Sequence, residues 1–348
     1  MIIGMPKEIK NNEYRVAMVP SSVREITRHG HTVYIENGAG VVAGFTDEEY
    51  EEAGAQITDK TRLYNDSDMI YKVKEVLPEE YEFYKEGQIL FTYIHSENRR
   101  EMSDVLIRKK IIGISYEDVT DDENKLPLLQ PMSEIAGKAG FLNAAVLMQT
   151  IHGGTGKLLS RVCGLETPQI MVIGCGGAGV AVAEYASALG NRVTMLDINR
   201  KSMESAMKLL PKNVEIIYSN RTNITASLKK ADVVFNCVLW DHRRNDHIVY
   251  REDLKLMKPE SIIVDIACDE NGSIETCRYT TLDDPVFEVD GIRHFCVPNI
   301  PSLYAKTASS MLSSATLPYA LEIANKGVIQ ALKDNKHLRR ALTFWYGQ

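Results

Sequence analysis

Short apolar runs alternate with amphipathic stretches along the first 130 residues of the chain. The apolar runs predict strands at residues 1–4, 32–36, 69–73, 88–94 and 111–116. Apolar positions at helical spacing predict helices at residues 20–29, 47–53 and 98–110. Because strands that alternate with helices form crossover connections, this part of the chain is predicted to be an α/β sheet with mostly parallel strands.

The alternation continues in the second half. Apolar runs predict six strands there, at residues 170–173, 193–196, 214–218, 233–238, 262–267 and 294–297. Two long helical patterns flank these runs, at residues 132–152 and from about 302 to 325. The first opens on Pro131 with Ser133 as its candidate cap and closes on Gly153 and Gly154, and the second is followed by a short basic tail.

The first apolar run of the second half ends in a glycine-rich turn, Gly174-x-Gly176-x-x-Gly179, before an Ala-rich helical pattern. In that context Gly174 permits the tight turn, Gly176 lets backbone N–H groups approach a pyrophosphate, and Gly179 lets helix and strand pack closely. Asp197 ends the next run, where an acid can bind a ribose 2′-hydroxyl. The motif predicts a bound dinucleotide and favours NAD, although basic residues at positions 200 and 201 leave NADP open.

This motif, together with the six predicted strands of the second half, predicts the architecture. A dinucleotide-binding sheet requires six strands, so residues 131–300 are expected to form a doubly wound Rossmann domain. Residues 1–130 and 301–348 are expected to form a second, discontinuous α/β substrate domain of Rossmann-like type, and the long helices would link the two. The active site is expected in the cleft between the domains.

Composition and charge narrow the class of protein. The net charge of −7 over 348 residues argues against general nucleic-acid binding. No apolar run has the roughly 20 residues that span a bilayer, and the N-terminus lacks the pattern of a signal peptide. The cysteines form no C-x-x-C pair and no recognisable metal-ligand spacing, so they are interpreted as buried free thiols of a cytoplasmic protein without a metal; they are Cys163, Cys175, Cys237, Cys268, Cys277 and Cys296.

Polar residues at the ends of predicted strands are the candidates for chemistry, because a nicotinamide moves hydride but neither handles protons nor anchors a substrate. His95 is a candidate acid/base, or a histidine with a structural hydrogen bond. Lys74 could bind a substrate carboxylate or carbonyl, or form a solvated pair with Glu75. Arg15 could clamp a carboxylate, or be a surface charge.

Two further candidates follow strands of the dinucleotide-binding region. Asp269 would face the nicotinamide crevice as an acid, or form a turn. Asn299 could hydrogen-bond the nicotinamide or the substrate, or have a purely structural role before Pro301.

Together with their contexts, these residues resemble the alanine dehydrogenase family and its relative, the nicotinamide nucleotide transhydrogenase α chain. The resemblance runs from end to end. Besides the glycine-rich turn, it is carried by GMPKEIKNNEYRVA (4–17), VKE (73–75), FTYIH (91–95), PMSEIAG (131–137), GGTG (153–156), VDIA (264–267), VDG (289–291) and ATLPYA (315–320). The full-length match favours a stand-alone dehydrogenase.

The resemblance implies reversible, metal-independent oxidative deamination of L-alanine to pyruvate and ammonium. It implies that Arg15 and Lys74 bind the substrate, and that His95 and Asp269 are the catalytic acid/base pair. It further implies a small-molecule substrate and a homo-oligomer, a hexamer or a dimer. The residues it assigns to NAD are Ser133, Gly176, Gly177, Asp197, Ser219, Val238, Leu239, Arg278 and the segment 297–300, which includes Val297, Asn299 and Ile300.

One loop departs from the family pattern. Residues 240–246 read WDHRRND, where the family carries a small Gly/Ala/Pro-containing loop. Either the charges point outward and only Trp240 packs, or the pocket is rebuilt for a larger partner. The second case gives an alternative, an opine-type dehydrogenase that condenses a keto acid with ornithine or lysine held by Arg243, Arg244 and Glu97. A non-catalytic nucleotide sensor is a further alternative.

Overall fold

The computed structural model describes residues 1–241, 243–259, 261–268, 270 and 272–348, without the side chain of Asn98. The chain divides into two compact units. Unit 1 comprises Met1–Met132 and Ser302–Gln348, and unit 2 comprises Ser133–Pro301. Each unit has its own seven-stranded sheet.

Unit 1 begins with six strands and four α-helices. In chain order they are β1 (Ile2–Met5), α1 (Pro20–Arg28), β2 (Thr32–Glu36), α2 (Asp47–Glu52), β3 (Gln56–Thr58), α3 (Lys60–Asp66), β4 (Met69–Tyr71), β5 (Ile89–Thr92), α4 (Arg100–Arg108) and β6 (Ile112–Ser115). Short 3-10 helices follow β4, β5 and β6 at Pro78–Phe83, Ser96–Asn98 and Tyr116–Asp118.

Helix α5 (Gln130–Leu147) and the 3-10 helix Thr150–His152 lead into the elements of unit 2. These are β7 (Gln169–Ile173), α6 (Gly177–Ala188), β8 (Arg192–Asp197), α7 (Arg200–Leu209), β9 (Val214–Tyr218), α8 (Arg221–Leu228), β10 (Val233–Asn236), the 3-10 helix Arg251–Leu256, β11 (Ile262–Asp265), β12 (Val286–Val289) and β13 (Ile292–Phe295). The 3-10 helix Ile300–Tyr304 then leads to α9 (Ala305–Lys326), α10 (Val328–Asp334), α11 (Lys336–Arg340) and β14 (Leu342–Phe344).

The sheet of unit 1 has the order β14-β6-β5-β4-β1-β2-β3. All neighbours are parallel except β14, which runs antiparallel to β6. Every residue of β4, β5 and β6 is buried, as expected for parallel strands covered on both faces. The strand order reverses between β1 and β4, and ligands of open α/β sheets bind at the carboxyl ends of the strands beside such a reversal.

The sheet of unit 2 has the order β12-β13-β11-β10-β7-β8-β9. Six strands are parallel, and β12 pairs antiparallel with β13 at the edge. The six parallel strands have the order of a dinucleotide-binding sheet, which reverses between β7 and β10. Two buried apolar clusters hold the sheet together, one built with Phe141, Val172 and Phe235 and the other with Ile173, Val234 and Ile263. The predicted fold class, two Rossmann-like α/β sheets, is confirmed.

Two predicted strands of unit 1 end earlier than their apolar runs. The run at residues 69–73 is strand only to Tyr71; the N–H of Lys72 still donates to the Phe91 carbonyl, but the N–H of Val73 donates to the Glu8 carboxylate at 2.6 Å. The run at residues 88–94 ends at Thr92, because the N–H of Ile94 donates to Glu117 at 3.0 Å. In both places a carboxylate accepts a backbone N–H group that a neighbouring strand would otherwise have bound.

Other predictions were wrong in detail. Ser133 lies inside α5, which begins at Gln130, so Ser133 is not its cap. That helix ends at Leu147, five residues before the predicted end at 152, and the Leu147 carbonyl accepts from Arg293 Nη1 at 2.7 Å. The expected basic tail forms α10, α11 and β14 instead. None of the helices in the described part of the chain is long and apolar enough to cross a membrane.

Candidate active site

Four strand ends meet on one edge of the sheet of unit 1. The register aligns Gly4 of β1 with Ile70 of β4, Tyr71 with Phe91 of β5, and Thr92 with Ser115 of β6. Parallel strands place the segments that follow them on the same side of the sheet. The candidate residues Arg15, Lys74 and His95 follow β1, β4 and β5, and the structure brings them into one charged cluster.

Arg15 is buried and held by a carboxylate. Its Nε and Nη2 donate to the two oxygens of Glu13 at 2.8 and 2.6 Å, a bidentate arrangement. The Glu13 side chain is fully buried. Burial alone would raise the pKa of Glu13, but Arg15 lowers it to about 2. The pair therefore fixes the plane of the guanidinium, and the interpretation of Arg15 as a surface charge is wrong.

Lys74 carries an unmatched charge in this cluster. Its backbone N–H donates to Glu8 at 3.2 Å, but no acceptor among the described residues lies within hydrogen-bonding distance of its Nζ. Burial, with the nearby cations Arg15 and Lys10, lowers the pKa of Lys74 to about 8. An ammonium held without a partner beside an arginine is suited to receive an anion or a carbonyl oxygen.

Glu75, the acid next to Lys74, does not form the solvated pair with Lys74 that was one of the two expectations. The Glu75 side chain is fully buried, and one of its oxygens accepts from Lys10 Nζ and from Arg99 Nη2, each at 2.6 Å. Burial alone would raise the pKa of Glu75, but Lys74, Lys10 and Arg99 hold it at about 2. Glu75 thus engages the two flanking cations and leaves the Lys74 ammonium without a direct contact.

His95 adopts a left-handed backbone conformation, with φ of 51°. The Glu117 carboxylate, which follows β6, accepts the backbone N–H groups of Ile94 and His95 and so supports that conformation. Its Oε1 also lies 3.6 Å from His95 Nδ1. The imidazole lies parallel to the Tyr93 ring, with centroids 6.0 Å apart. Burial lowers the pKa of His95, and Glu117 opposes that effect.

A second buried ion pair supports the segment after β4. Lys72 Nζ donates to both oxygens of Glu80 at 2.6 and 2.7 Å, and both side chains are almost fully buried. Lys72 Nζ also lies 3.7 Å from Glu8. Burial raises the pKa of Glu8 to about 7, although Lys72 lowers it. Glu8 therefore connects this ion pair to the backbone of Lys74.

The glycine-rich turn of unit 2 leaves room for a phosphate. Gly174 has φ of 104°, which favours glycine. A Cβ on Gly179 would lie 2.0 Å from the Gly174 carbonyl oxygen, so helix α6 packs against the turn through bare backbone. A Cβ on Gly176 would meet no heavy atom within 4 Å, and both Gly176 and Gly177 are exposed at the first turn of α6. These residues fit a pyrophosphate.

Asp197 stands at the end of β8, next to the turn. Its Oδ2 accepts the N–H of Cys175 at 2.6 Å, and its Oδ1 accepts the N–H of Asn199 at 2.7 Å. The carboxylate is therefore oriented by the backbone of the turn itself. Arg200, three residues further on, donates to Glu204 at 2.9 Å.

The remaining predicted cofactor residues lie on several segments of unit 2. Ser219 follows β9, and its N–H donates to the Asp197 carbonyl at 2.9 Å. Val238 and Leu239 follow β10, beside the reversal of strand order, and Leu239 is 83% exposed. Arg278 lies against the Phe287 ring, with its guanidinium carbon 4.4 Å from the centroid.

The other four predicted residues of this region follow β11 and β13 in the chain. Val297 is buried after β13, Asn299 has φ of 67°, and Ile300 is buried at the start of a 3-10 helix. Asp269, the predicted acid after β11, lies outside the described residues.

The charged loop after β10 pairs its own charges. Arg243 donates to Asp241, and Arg244 donates to Asp246. The Arg244 guanidinium also lies 4.3 Å from the centre of the Trp240 ring, which is 7% exposed. In the described part of this loop, Trp240 is buried, and both arginines form ion pairs with aspartates of the same loop.

The cysteines differ from the expectation in two respects. Cys163 is exposed and Cys237 is half-buried, so only four of the six are buried. Cys277 and Cys296 meet Asp265, with their potential ligand atoms within 4.8 Å of one another. The sequence spacing gave no sign of this cluster, because the pairing of β11 with β13 and the course of the segment between them bring the three residues together.

Glu13 and Glu117 are the site residues that the sequence analysis did not select. Glu117 follows β6, the parallel neighbour of β5, in the same way that His95 follows β5. The rule that strand ends converge could therefore have identified it. Glu13 lies only two residues before Arg15, but nothing in that spacing indicates a bidentate pair.

Two family models match the chain. Residues 4–136 match the model described as alanine dehydrogenase/PNT, N-terminal domain, and residues 140–348 match alanine dehydrogenase/PNT, C-terminal domain. An alanine dehydrogenase of Methanococcus maripaludis is 44% identical over 350 residues, covering 100% of this chain and 94% of that protein. An alanine dehydrogenase 2 of Staphylococcus aureus is 42% identical over 348 residues, with the same coverage.

Solved structures agree with these matches. A structure of an L-alanine dehydrogenase superposes with a TM-score of 0.95 at 38% identity, covering 100% of this chain and 96% of that one. A transhydrogenase from Sinorhizobium meliloti has a TM-score of 0.85 at 22% identity, covering 100% and 98%, and shares the fold.

Proposed function

The chain belongs to the alanine dehydrogenase/PNT family, and we propose that it catalyses the reversible NAD-dependent oxidative deamination of L-alanine to pyruvate and ammonium. Full-length relatives named alanine dehydrogenase, 41–44% identical, support this substrate. The observation that carries the proposal is the half-buried ammonium of Lys74, which has no acceptor among the described residues and stands in one cluster with Arg15 and His95.

Substrate recognition is proposed to depend on Lys74 and Arg15. The substrate has one carboxylate and one amino or carbonyl group, and the two cations match the negative end of that molecule. Glu13 orients the guanidinium before substrate arrives, which reduces the entropy lost on binding. Glu75 holds Lys10 and Arg99, so that the Lys74 ammonium stays available to the substrate.

Proton transfer is proposed to depend on His95. Bound NAD would supply the hydride acceptor for the substrate Cα. His95 would take a proton from the water that adds to the resulting iminium carbon and return it to nitrogen. His95 would then accept the hydroxyl proton as the C–N bond breaks and the keto acid and ammonia form. Burial favours the neutral imidazole that this base needs. Asp269 remains the proposed acid partner, by family resemblance.

The proposed cofactor is NAD. The open space at Gly176 and the exposed N-terminus of α6 support a pyrophosphate there. The Asp197 carboxylate would accept a hydrogen bond from a ribose hydroxyl and would repel a 2′-phosphate. Arg200, a cation that could favour NADP, forms an exposed ion pair with Glu204. Ser133, Ser219, Val238, Leu239, Arg278, Val297, Asn299 and Ile300 complete the proposed set.

The opine-type alternative lacks support. The relatives that match this chain over its full length carry the name alanine dehydrogenase. In addition, Arg243 and Arg244, the cations that would hold a second amino acid, form ion pairs with Asp241 and Asp246. Homo-oligomerisation and a cytoplasmic location stay predictions.

A substrate panel tests the proposal. NADH and NADPH oxidation is followed with pyruvate plus ammonium, and separately with pyruvate plus ornithine or lysine in the absence of ammonium. We expect turnover with the first mixture and NADH. Turnover with the second mixture alone would establish an opine dehydrogenase. Tight NADH binding without turnover in any mixture would establish a nucleotide sensor.

A further inference from the structure

Three potential metal ligands converge at one edge of the sheet of unit 2. Asp265 is the last residue of β11, Cys296 follows the adjacent strand β13, and Cys277 lies in the segment that connects them. One carboxylate oxygen and the two Sγ atoms lie within 4.8 Å of one another. The Sγ atoms of Cys277 and Cys296 are 3.4 Å apart. All three residues are at least 95% buried.

The carboxylate has an unsatisfied oxygen. Asp265 Oδ1 accepts from Asn236 Nδ2 at 2.7 Å and from the N–H of Cys268 at 2.9 Å. Asp265 Oδ2 is buried and has no hydrogen-bond partner among the described residues. Buried carboxylate oxygens are normally paired or coordinate a metal, and the group beside this carboxylate is the Cys277 thiol, itself a potential metal ligand.

We propose that Asp265, Cys277 and Cys296 bind one zinc ion. Zinc accepts thiolate and carboxylate ligands together, at about 2.3 Å for sulfur and 2.0–2.2 Å for oxygen. Tetrahedral zinc separates two sulfurs by about 3.8 Å, so the Cys277–Cys296 distance needs to open by only a few tenths of an ångström. Magnesium and calcium are disfavoured because they prefer oxygen ligands.

A further thiol, that of Cys268, lies beside Cys296 and would have to move to join the cluster. Cys268 follows β11, and its Sγ donates to the Cys296 carbonyl at 2.6 Å. Structural zinc sites are four-coordinate, and a Cys₃Asp set would close the shell. Such a site would tie the ends of β11 and β13 to the segment that carries Cys277. It would be structural, because all three defined ligands are buried.

Zinc binding to the full chain tests this proposal. The protein is stripped with a chelator under reducing conditions and then titrated with zinc in competition with a chromogenic chelator. We expect one zinc per chain. The variants Cys277→Ser and Cys296→Ser should each bind at least 100-fold more weakly. Cys163→Ser, which changes an exposed thiol, should bind like the unaltered chain.

Cobalt substitution gives a readout that needs no variant. The unaltered chain loaded with cobalt should show thiolate-to-metal charge transfer and the visible absorption of a tetrahedral ion. Absence of both signals would overturn the proposal, as would undiminished zinc binding by both cysteine variants. A chain that binds no zinc when reduced, and that loses two titratable thiols on mild oxidation, would show a redox pair at this position instead.

Discussion

The Glu117 carboxylate contacts His95 twice, by accepting its backbone N–H and by placing Oε1 3.6 Å from its Nδ1. The two residues follow neighbouring parallel strands. One acid thus sets the backbone conformation of the proposed catalytic histidine and acts on its charge. Burial lowers the pKa of His95 and Glu117 raises it, so the protonation state depends on this contact.

Replacing Glu117 by glutamine should shift the pH profile. Glutamine keeps an acceptor for the backbone N–H groups but removes the charge that raises the pKa of His95. The neutral imidazole then persists to lower pH, so the acid limb of kcat for alanine oxidation moves to lower pH. Plateau kcat should fall by less than about tenfold, because the imidazole and its general-base contribution remain.

A matched control for this variant is Glu123→Gln, which neutralises an exposed acid paired with Lys125. Its acid limb should coincide with that of the unaltered enzyme. An acid limb of Glu117→Gln that stays in place or moves to higher pH would show that Glu117 does not control His95.

Lys74 should make substrate affinity depend on pH. Its pKa is lowered to about 8, so the ammonium loses its proton, and its attraction for a carboxylate, as pH rises through that value. KM for pyruvate should therefore rise above pH 8. Lys74→Arg should remove this dependence because arginine stays charged. A profile that is the same in both proteins would contradict the proposed contact.

The same lowered pKa has a consequence for stability. Between about pH 8 and the ordinary value of 10.5, the unfolded chain holds a proton at Lys74 that the folded chain has lost. Folding then becomes more favourable as pH rises through this window. Lys74→Met should lose that gain, which denaturant unfolding at several pH values measures.

Breaking the buried ion pair of Arg15 with Glu13 should lower the free energy of unfolding. Glu13→Gln leaves a buried guanidinium without its counter-charge, and loss of one partner of a buried pair costs about 3–5 kcal/mol of unfolding free energy. Since the pKa of Glu13 is about 2 instead of 4.5, this contribution is present above pH 4.5 and is lost as pH falls towards 2.

An exposed pair provides the comparison for Glu13. Glu82 is 96% exposed and lies 3.9 Å from Lys109, so Glu82→Gln should cost less than about 1 kcal/mol. Equal destabilisation by the two substitutions in urea titrations would refute the assigned role of the buried pair.

Two glycines of the same turn should respond differently to alanine. A Cβ at Gly179 would lie 2.0 Å from a backbone oxygen, so Gly179→Ala should destabilise unit 2. A Cβ at Gly176 meets only open space, so Gly176→Ala should fold normally but weaken NADH binding at least tenfold. Thermal unfolding and fluorescence titration separate the two effects. Unchanged NADH affinity in Gly176→Ala would contradict a pyrophosphate at this turn.

The sequence predicted the central strands and the edge strand β9 well, but it did not predict the other three edge strands. Strands such as β10 and β11 are buried on both faces, so they appear as unbroken apolar runs. The edge strands β3 and β14 have three residues each, and β12 is only partly buried, so none of them carries a recognisable pattern. Two of these edge strands, β12 and β14, are also the antiparallel ones.

The part of the site that follows the ends of predicted strands could be predicted from the sequence. Arg15, Lys74 and His95 follow strands, and the sheet brings them together. Glu117 also follows a strand and could have been identified in the same way, whereas Glu13 gains its role only from Arg15, which the fold holds against it. The cluster of Asp265 with Cys277 and Cys296 was also not predicted, because the fold and not a sequence motif brings these residues together.

Tracing the source of the nitrogen atom in the product is the most direct test of the proposed reaction. The enzyme is incubated with NADH, pyruvate and ¹⁵N-ammonium, and the product is identified by NMR and mass spectrometry. We predict ¹⁵N-L-alanine from the unaltered enzyme. His95→Ala should form it at least about 100-fold more slowly, while its NADH affinity stays within a few-fold. Failure of the unaltered enzyme to form ¹⁵N-alanine, or undiminished formation by His95→Ala, would contradict this mechanism.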